Sequence, residues 1–324
     1  MKTIATTLAL AALVAALPAK DAAAQDFPTE AIRFVVGYPP GGSTDITARI
    51  LADWLTQNTD ATFVVENRAG GSGVVGVSSV VNSRPDGHTL SFAASPEIAL
   101  GQALGREVPY DVGEDLRPIT MVGQVQFVLV GREGLPADDL QGLIEHAEAN
   151  PGTLSFASFG TGTSNHLVGE AFKAKTGIDA LHVPYNGSAP AMVDLLGGRV
   201  DYAFDTVPVV LPHIASGALK PLGIATLERS DQAPDIPTLD EQGLDGFVGG
   251  TWFGLFAPAG VEDGRVAWLN ETLGKALTSE EVAAQLRDRG VELIHTTPEE
   301  LDTFVSNEID RWIEVVETSG VTVE

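Results

Sequence analysis

The sequence predicts an α/β protein of two domains, one inserted into the other. Short apolar runs alternate with amphipathic stretches, glycine-rich loops follow several of these runs, and two extended segments near 123 and 227 bracket one α/β unit. Such alternation is typical of parallel sheets with right-handed helical crossovers. We expect 25–122 plus 228–324 to form domain 1 and 123–227 to form domain 2. The two extended crossings then make a hinge, and the cleft beside it is a natural ligand site.

Residues 1–24 differ from the rest and predict a signal peptide. Lys2 gives a positive start, residues 4–17 are almost entirely apolar, and 22–24 supply a small-residue cleavage site. The apolar part is shorter than the roughly 18 residues that a membrane helix needs. We therefore expect the mature chain to begin near Gln25 and to be free in the periplasm or secreted.

The composition excludes several classes of function. The chain has no cysteine, so it has no disulfide, thiolate metal site or cysteine nucleophile. Its six histidines are scattered without a metal-binding spacing, and we predict neither a metal nor a cofactor. The net charge of −25 makes nucleic acid a poor partner, because a polyanion would be repelled.

The first strand, at 32–37, leads into a loop at 38–45 that contains two prolines and two glycines. Apolar residues then recur at helical spacing, and either Ser43 or Thr44 is expected to cap the helix. Asp45 suits the positive end of the helix dipole, or it bonds the N–H groups of its own loop. A glycine-rich loop that leads from a strand into a helix is an anion-binding device, and the alternative is a tight turn without a ligand.

The remaining elements follow the same alternation. Further strands are predicted at 62–66, 89–93, 154–157, 181–183, 200–204 and 252–257. Helices are predicted at 73–82, 96–104, 138–150, 165–176, 189–196, 265–277 and 301–316, and extended crossings at 117–131 and 221–226, the first interrupted at Gly123 and Gln124. Because ligands gather at the carboxyl ends of parallel strands, Ser95, which follows the third strand, is expected at the same edge as the loop at 38–45. Trp252, at the start of a predicted strand, and Trp312 of the last helix are expected in the core.

The predicted second domain offers three comparable strand ends. The loop at 158–164 contains Ser158, Thr161, Gly162, Thr163 and Ser164, so it combines free backbone with several hydroxyl groups. Ser164 or Thr163 would cap the following helix, and capping alone is the alternative role. Two further strands end at Tyr185, Asn186 and Gly187 and at Asp205. The Asp205 carboxylate would accept a hydrogen bond from a ligand, or it would cap the next helix.

Two other signatures point to chemistry that we consider weaker. Residues 71–76 fit the pattern G-x-G-x-x-G of dinucleotide-binding loops, with Glu97 about 20 residues later. A secreted protein seldom meets nicotinamide cofactors, and close helix–sheet packing explains the same glycines. A secreted hydrolase or lyase using Ser164, His166 or Asp205 is the rival function, although Ser164 and His166 lie two apart on one helix and do not face each other.

Motifs at 36–49, 65–71, 85–87, 166–170, 182–185, 194–198, 237–238 and 252–258 together cover nearly the whole mature chain. Their combination resembles one family, the substrate-binding proteins of tripartite tricarboxylate transporters, or TctC/Bug family. The resemblance implies a type II periplasmic binding fold of the Venus-flytrap kind, without enzymatic activity. Such a protein captures a small carboxylate and delivers it to a membrane permease; a binding protein associated with a sensor would share the fold. We expect a monomer.

The resemblance also implies which residues bind the ligand. In this family the first loop binds a carboxylate through backbone N–H groups, and the second domain supplies facing contacts. The expected ligand-binding set is Tyr38, Gly41, Gly42, Ser43, Thr44, Asp45, Ser95, Ser158, Thr161, Gly162, Thr163, Ser164, Tyr185, Asn186, Gly187 and Asp205. Pro40 departs from the family, which more often has alanine there, and its missing N–H alters the set of backbone donors.

Overall fold

The chain folds into two α/β halves that share one continuous path of strands. The structure is a computed structural model and describes residues 27–105 and 107–319. The predicted signal peptide at 1–24 lies outside the described residues. Along the path the strands follow the order 63–67, 32–36, 89–94, 250–258, 116–132, 202–206, 154–158 and 180–184. The strands at 219–224 and 291–293 also pair with the long strand at 116–132.

The first half contains a parallel core with helices on its faces. Its strands are β1 (Ile32–Val36), β2 (Phe63–Asn67) and β3 (Thr89–Ala94), all parallel, followed late in the chain by β9 (Gly250–Pro258) and β10 (Val291–Leu293). Its helices are α1 (Ser43–Asn58), α2 (Val74–Val81), α3 (Gly101–Ala103), α4 (Val112–Asp115), α9 (Asp263–Leu277), α10 (Glu280–Arg287) and α11 (Pro298–Ser319). Every residue of β3 is buried, as expected for a parallel strand covered on both faces.

The second half repeats the design with a separate core. It contains the later part of β4 (Leu116–Arg132), then β5 (Leu154–Ser158), β6 (Ala180–Pro184), β7 (Tyr202–Thr206) and β8 (Leu219–Ile224). Its helices are α5 (Leu140–Ala149), α6 (Ser164–Thr176), α7 (Ser188–Leu196) and α8 (Val207–Ala215). Strand β5 pairs in parallel with β6 and β7, so the predicted alternation is confirmed in both halves.

The two halves are joined by long antiparallel strands. Strand β4 pairs first with β9 and then, from Phe127 onward, with β7, so it belongs to both halves. The predicted interruption at Gly123 and Gln124 is wrong: the strand continues, with a register shift beside Gly123. A side chain at Gly123 would collide with the Glu292 carbonyl oxygen, because β10 approaches closely there. Helix α11 adds a third link, since Leu301 packs in a first-half cluster and Trp312 in the second-half core.

The packing of the segment after β8 bears on where the chain returns to the first half. Leu239, Leu244 and Phe247 pack in one cluster with Phe156 and Phe172 of the second half. The Ala225 N–H bonds the Phe127 carbonyl, and the Gly249 N–H bonds the Ala225 carbonyl. On this packing we propose that the second crossing lies at 249–250 rather than near 227. The other domain limits remain predictions.

Some local elements differ from the sequence expectation. Helix α10 and strand β10 were not predicted, and strand β8 begins at Leu219, before the extended segment predicted at 221–226. The helix predicted at 96–104 is a π-helical turn (Pro96–Leu100) followed by α3. The tryptophan prediction is confirmed, because Trp312 is buried and its indole N–H donates to Glu308.

The glycines at 71–76 serve close packing. A Cβ added at Gly37 would lie 2.6 Å from the Gly73 Cα, and one added at Gly76 would lie 2.7 Å from the Gly37 Cα. A Cβ added at Gly73 would lie 2.5 Å from the carboxyl carbon of Glu97. The backbone after β1 and the backbone at the start of α2 therefore meet directly, and the Glu97 carboxyl packs against Gly73, as the packing alternative predicted.

We expect the substitution Gly37→Ala to lower the free energy of unfolding by about 1–3 kcal/mol, because rigid backbone must move to admit the methyl group. Gly264→Ala is the matched control, since nothing lies within 4 Å of a Cβ there and the residue is helical. The control is expected to raise the free energy of unfolding by roughly 0.5–1 kcal/mol. Urea unfolding of both variants measures the difference, and similar changes in both would contradict the packing role.

Candidate ligand-binding site

A small cavity of about 70 Å³ lies in the cleft between the halves. Its first wall comes from the loop after β1 and the end of β3, and its second wall from the starts of α6, α7 and α8. The lining residues are Tyr38, Pro39, Pro40, Gly42, Ser43, Thr44, Ala94, Pro96, Phe127, Phe159, Thr163, Ser164, Asn186, Gly187, Ser188, Ala189, Pro190, Thr206 and Thr251. No charged side chain is among these described lining residues.

Four helix N-termini converge on this cavity. Gly42 precedes α1, Thr163 precedes α6, Gly187 precedes α7 and Thr206 precedes α8, and all four residues line the cavity. The first N–H groups of a helix have no acceptor within the helix, and the helix dipole places partial positive charge at this end. A small anion in the cavity would therefore meet positive potential from both walls without any cationic side chain.

The start of α1 is organised by Asp45 rather than by a hydroxyl cap. Gly42 occupies the N-cap position and no side chain caps the helix, so the predicted cap by Ser43 or Thr44 is wrong. The Gly41 N–H instead donates to Asp45 Oδ2 at 3.0 Å, as the loop-bonding alternative foresaw. Burial opposes ionisation of Asp45, but bonds from Arg49, Gly41 and Asn67 outweigh it and lower the pKa of this carboxyl. Asp45 thus stabilises the loop at 38–45 through its hydrogen bond with Gly41.

The loop before α6 is also stabilised by a hydrogen bond within the loop. Thr163 is at the N-cap, yet neither its side chain nor that of Ser164 caps the helix, so this capping prediction is wrong. The Thr163 hydroxyl donates to the Gly160 carbonyl oxygen at 2.7 Å, which closes the loop on itself. Ser164 Oγ lies 2.7 Å from Ser95 Oγ on the opposite wall. The loop hydroxyl groups therefore shape the cavity and join its walls.

Two histidines stack beneath this loop and stabilise it. The rings of His166 and His182 lie 3.9 Å apart between centroids, and Phe156 stacks on His182 at 4.9 Å. The Gly162 N–H donates to His166 Nδ1, and Ser158 Oγ lies 2.6 Å from His182 Nε2. Burial, and next the charge of His166, lowers the pKa of His182 to about 4. His182 is therefore neutral at ordinary pH and supports the loop.

Among the residues that the structure describes, Ser164 and His166 do not form the nucleophile–base pair that the rival hydrolase or lyase needs. Ser164 Oγ bonds Ser95 and Thr251. His166 Nδ1 accepts the loop N–H and therefore cannot serve there as a base, and its Nε2 faces Glu170 at 4.0 Å. Ser158 is fully buried.

Two buried carboxyl groups lie behind the cavity walls. Asp205 accepts hydrogen bonds from Ser188 Oγ at 2.8 Å and from the Thr206 N–H at 2.6 Å, so it reaches the cavity through these two lining residues. Glu97 accepts a hydrogen bond from the Tyr38 hydroxyl at 2.8 Å in the first half. Burial raises the pKa of Asp205 and that of Glu97 to about 7. Both carboxyl groups therefore position residues that line the cavity: Asp205 bonds Ser188 and Thr206, and Glu97 bonds Tyr38.

The sequence-predicted residues fall into three groups. Those that line the cavity are Tyr38, Gly42, Ser43, Thr44, Thr163, Ser164, Asn186 and Gly187. Thr161 and Tyr185 line the wider open vestibule outside it, and Ser95 borders a pocket on the hinge side. The others do not line these spaces: Asp45, Ser158, Gly162 and Asp205 are buried behind the lining, and Gly41 is an exposed residue of the loop at 38–45.

Sequence reasoning missed part of the lining. Ser188, Ala189, Pro190 and Thr206 occupy the same strand-to-helix position as the predicted loops, so that position was the available signal. Phe127 and Thr251 lie on β4 and β9, and nothing in their local pattern distinguishes them from core residues. Pro40 lines the cavity without an N–H to offer, so it contributes shape only.

Elsewhere, Glu30, Asp86 and His88 bring ligand atoms within 4.8 Å of one another. Both ring nitrogens of His88 already have partners, because Nδ1 lies 3.2 Å from Asp86 and Nε2 accepts the Thr29 N–H. Arg84 also bonds Glu30 and Asp86, which opposes a cation there.

Within 27–105 and 107–319, no helix has the length and apolar character needed to cross a membrane.

Two α/β halves joined by long crossing strands, with an uncharged cleft lined by helix N-termini, define a two-domain solute-binding protein. The family model for the tripartite tricarboxylate transporter family receptor, TctC, matches residues 47–321. The chain belongs to this family, which confirms the resemblance and the prediction of a receptor rather than an enzyme.

The chain is similar to several known proteins over most of its length. It is 39% identical to Protein BugT of Bordetella pertussis over 93% of each chain. Among solved structures, Rpa4515 of R. palustris with adipate has a TM-score of 0.88 at 33% identity, covering 92% of this chain and 99% of that one. MatC of Rhodopseudomonas palustris with bound malate has a TM-score of 0.84 at 31% identity, covering 90% and 100%. These structures confirm the predicted fold class.

Proposed function

We propose that the protein is a periplasmic receptor that captures a small carboxylate in the cleft and delivers it to a membrane permease of the tripartite tricarboxylate type. The observation that carries this proposal is the convergence of four helix N-termini on one uncharged cavity. The family description supports the permease as partner, and we propose a monomer that is exported by the signal sequence at 1–24.

Helix ends are strong enough to hold such an anion. Each helix N-terminus favours a negative charge by roughly 0.3–1 kcal/mol when exposed and by up to about 2 kcal/mol when partly buried. Four of them, with backbone N–H groups aimed at the ligand, outweigh the repulsion of a body of net charge −25, because most of that charge is distant and screened by salt. The ligand carboxylate then replaces water as the acceptor for the first-turn N–H groups.

The relatives support the same class of ligand. One similar structure contains adipate and another malate, two acids that share carboxylate groups and differ in length and hydroxylation. In the present cavity the donors that would bind a carboxylate are backbone groups of Ser43, Thr44 and the facing helix starts. The apolar residues Tyr38, Phe127 and Phe159 line the space for the remainder of the ligand.

A thermal-shift screen of the purified protein against small organic acids tests the proposal. An acid at 100 times its Kd is expected to add about 2.7 kcal/mol to the free energy of unfolding. Each acid is paired with its uncharged amide, such as adipamide for adipate, which keeps the carbon skeleton and removes the charge. Stabilisation by acids and not by amides is the expected result. Absence of any effect from every carboxylate would refute the proposal.

A further inference from the structure

Two side-chain hydrogen bonds join the walls of the cleft at different places. Ser95 Oγ contacts Ser164 Oγ at 2.7 Å and Thr251 Oγ1 at 3.1 Å, so this contact adjoins the hinge strand β9. Ser72 Oγ donates to the Thr161 carbonyl oxygen at 2.8 Å. Ser72 and Thr161 line the open vestibule and are not among the residues that line the ligand cavity. The second bond therefore joins the two halves at the rim of the cleft.

Ser72 has an unusual backbone conformation for a serine. Its φ is 54° and its ψ is 43°, and within the described ranges it is the one residue other than glycine with a positive φ. Its neighbours Gly70, Gly71 and Gly73 all have positive φ as well. A non-glycine residue in this region costs free energy, and such a conformation persists only where surrounding contacts hold it, often at a functional position. For Ser72 the contact with a functional consequence is the hydrogen bond across the cleft.

The first half holds Ser72 firmly in this position. The Tyr38 hydroxyl lies 3.2 Å from the Ser72 carbonyl oxygen and 2.8 Å from Glu97 Oε2. Gly73 is packed against the Glu97 carboxyl so closely that no Cβ fits. The Gly73 N–H also bonds the Gly70 carbonyl at 3.1 Å. All of these contacts lie within the first half, so the position of Ser72 does not depend on its bond to the second half.

The second half presents its acceptor from the loop before α6. Gly160 and Gly162 flank Thr161 with φ of 137° and 76°, which turns the Thr161 carbonyl outward toward Ser72. The same loop is held by the Thr163 bond to Gly160 and the Gly162 bond to His166. The loop that places a helix N-terminus at the cavity therefore also accepts the rim bond.

We propose that Ser72 is a positioning residue for ligand capture: its hydrogen bond to Thr161 favours the closed cleft and so raises ligand affinity without touching the ligand. The proposal rests on the proposed function for the affinity it would raise, whereas closure itself does not require a known ligand. A bond made only in the closed form shifts the open–closed equilibrium toward that form. Because a ligand enclosed by both walls leaves through the open form, its dissociation slows by the same factor.

Two substitutions separate the hydroxyl from the backbone conformation. Ser72→Ala and Ser72→Gly both remove the hydroxyl, but glycine accepts a φ of 54° freely and alanine does not. Ser79→Ala is the control on the adjacent helix α2, where the lost hydroxyl bonds only the Gly76 carbonyl of its own helix. Because the chain has no cysteine, spin labels attached through Gln57→Cys and Glu148→Cys, at exposed positions of α1 and α5, report closure cleanly.

The ligand-free protein is measured first, by the distribution of distances between the two labels. Both Ser72 variants are expected to lower the ratio of closed to open molecules by about two- to tenfold, the effect of one hydrogen bond. The Ser79→Ala control is expected to match the unsubstituted protein. An unchanged ratio in both variants overturns the proposal. A lower ratio in Ser72→Ala alone also overturns it, because backbone strain would then explain the effect.

Adipate and malate serve as the ligand probes in a second arm. For an acid that binds, the Kd is expected to rise by about the same two- to tenfold factor, through a faster dissociation rate with little change in the association rate. A higher Kd caused only by slower association overturns the role in holding the cleft closed. If neither these acids nor any other carboxylate of the screen binds, the proposed carboxylate function fails, while the ligand-free distance ratio still decides the role of Ser72.

Discussion

Replacing Gly42 with aspartate is expected to abolish carboxylate binding and to leave the fold intact. Gly42 has φ −81° and ψ 167°, which any residue adopts, and nothing lies within 4 Å of an added Cβ. A carboxylate at this N-cap would accept the first N–H groups of α1 and occupy the donors meant for the ligand. Its charge about 4 Å from a bound carboxylate would cost about 4 kcal/mol at an effective dielectric constant of 20, or roughly a thousandfold in Kd.

The matched control is Gly42→Asn, which has the same shape and capping ability without the charge. It is expected to weaken binding much less than Gly42→Asp. Both variants should have a free energy of unfolding at least as high as that of the unsubstituted protein, because either side chain caps α1. Calorimetric titration with whichever acid stabilises the protein gives the two Kd values. Equal losses in the two variants would mean that the cavity does not bind an anion at this helix end.

The substitution Phe156→Ala is expected to lower the free energy of unfolding by about 3–5 kcal/mol. The Phe156 ring is completely buried and stacks on His182, while a Cβ added at Gly169 would lie 2.4 Å from it, so α6 rests directly on this ring. Removing the ring leaves a cavity beneath the helix whose N-terminus faces the ligand cavity. Urea unfolding measures the loss, and hydrogen exchange should show weakened protection over 154–184.

Leu181→Ala on the neighbouring strand β6 is the comparison for this experiment. Leu181 is 68% exposed, so its truncation is expected to change the free energy of unfolding by less than about 0.5 kcal/mol. A small loss in Phe156→Ala, similar to that of Leu181→Ala, would show that α6 does not depend on the aromatic stack.

Much of the fold could be predicted because the signals are local. The alternation of short β-branched runs with helical spacing located β1, α1, β3, α6 and α9 within a few residues. Elements whose pattern is weak were missed: β10 has only three residues. It pairs with β4 and packs in the first-half core, contacts that no local pattern reports.

The candidate site divides in the same way. Glycine- and hydroxyl-rich loops after strands predicted Gly42, Ser43, Thr163 and Gly187 as lining residues, because a strand-to-helix loop is a local feature. The capping roles were wrong because a hydroxyl caps a helix only if its own residue takes the extended N-cap conformation and no better partner is near. Glycine took that position in α1, and Thr163 bonded Gly160 instead of its helix.

By itself, then, the sequence determined the class of fold, the acidic and cysteine-free character of the chain and the loops that carry helix N-termini. The tertiary structure decided which of those termini meet at one cavity, that Asp205 and Glu97 lie behind its walls, and that Ser72 reaches Thr161 across 89 residues of sequence. The physical reason is the distance along the chain over which each kind of interaction acts. Periodicity and turn chemistry are properties of neighbouring residues, whereas convergence depends on the order of strands in the sheet and on the side chains that hold the two halves together.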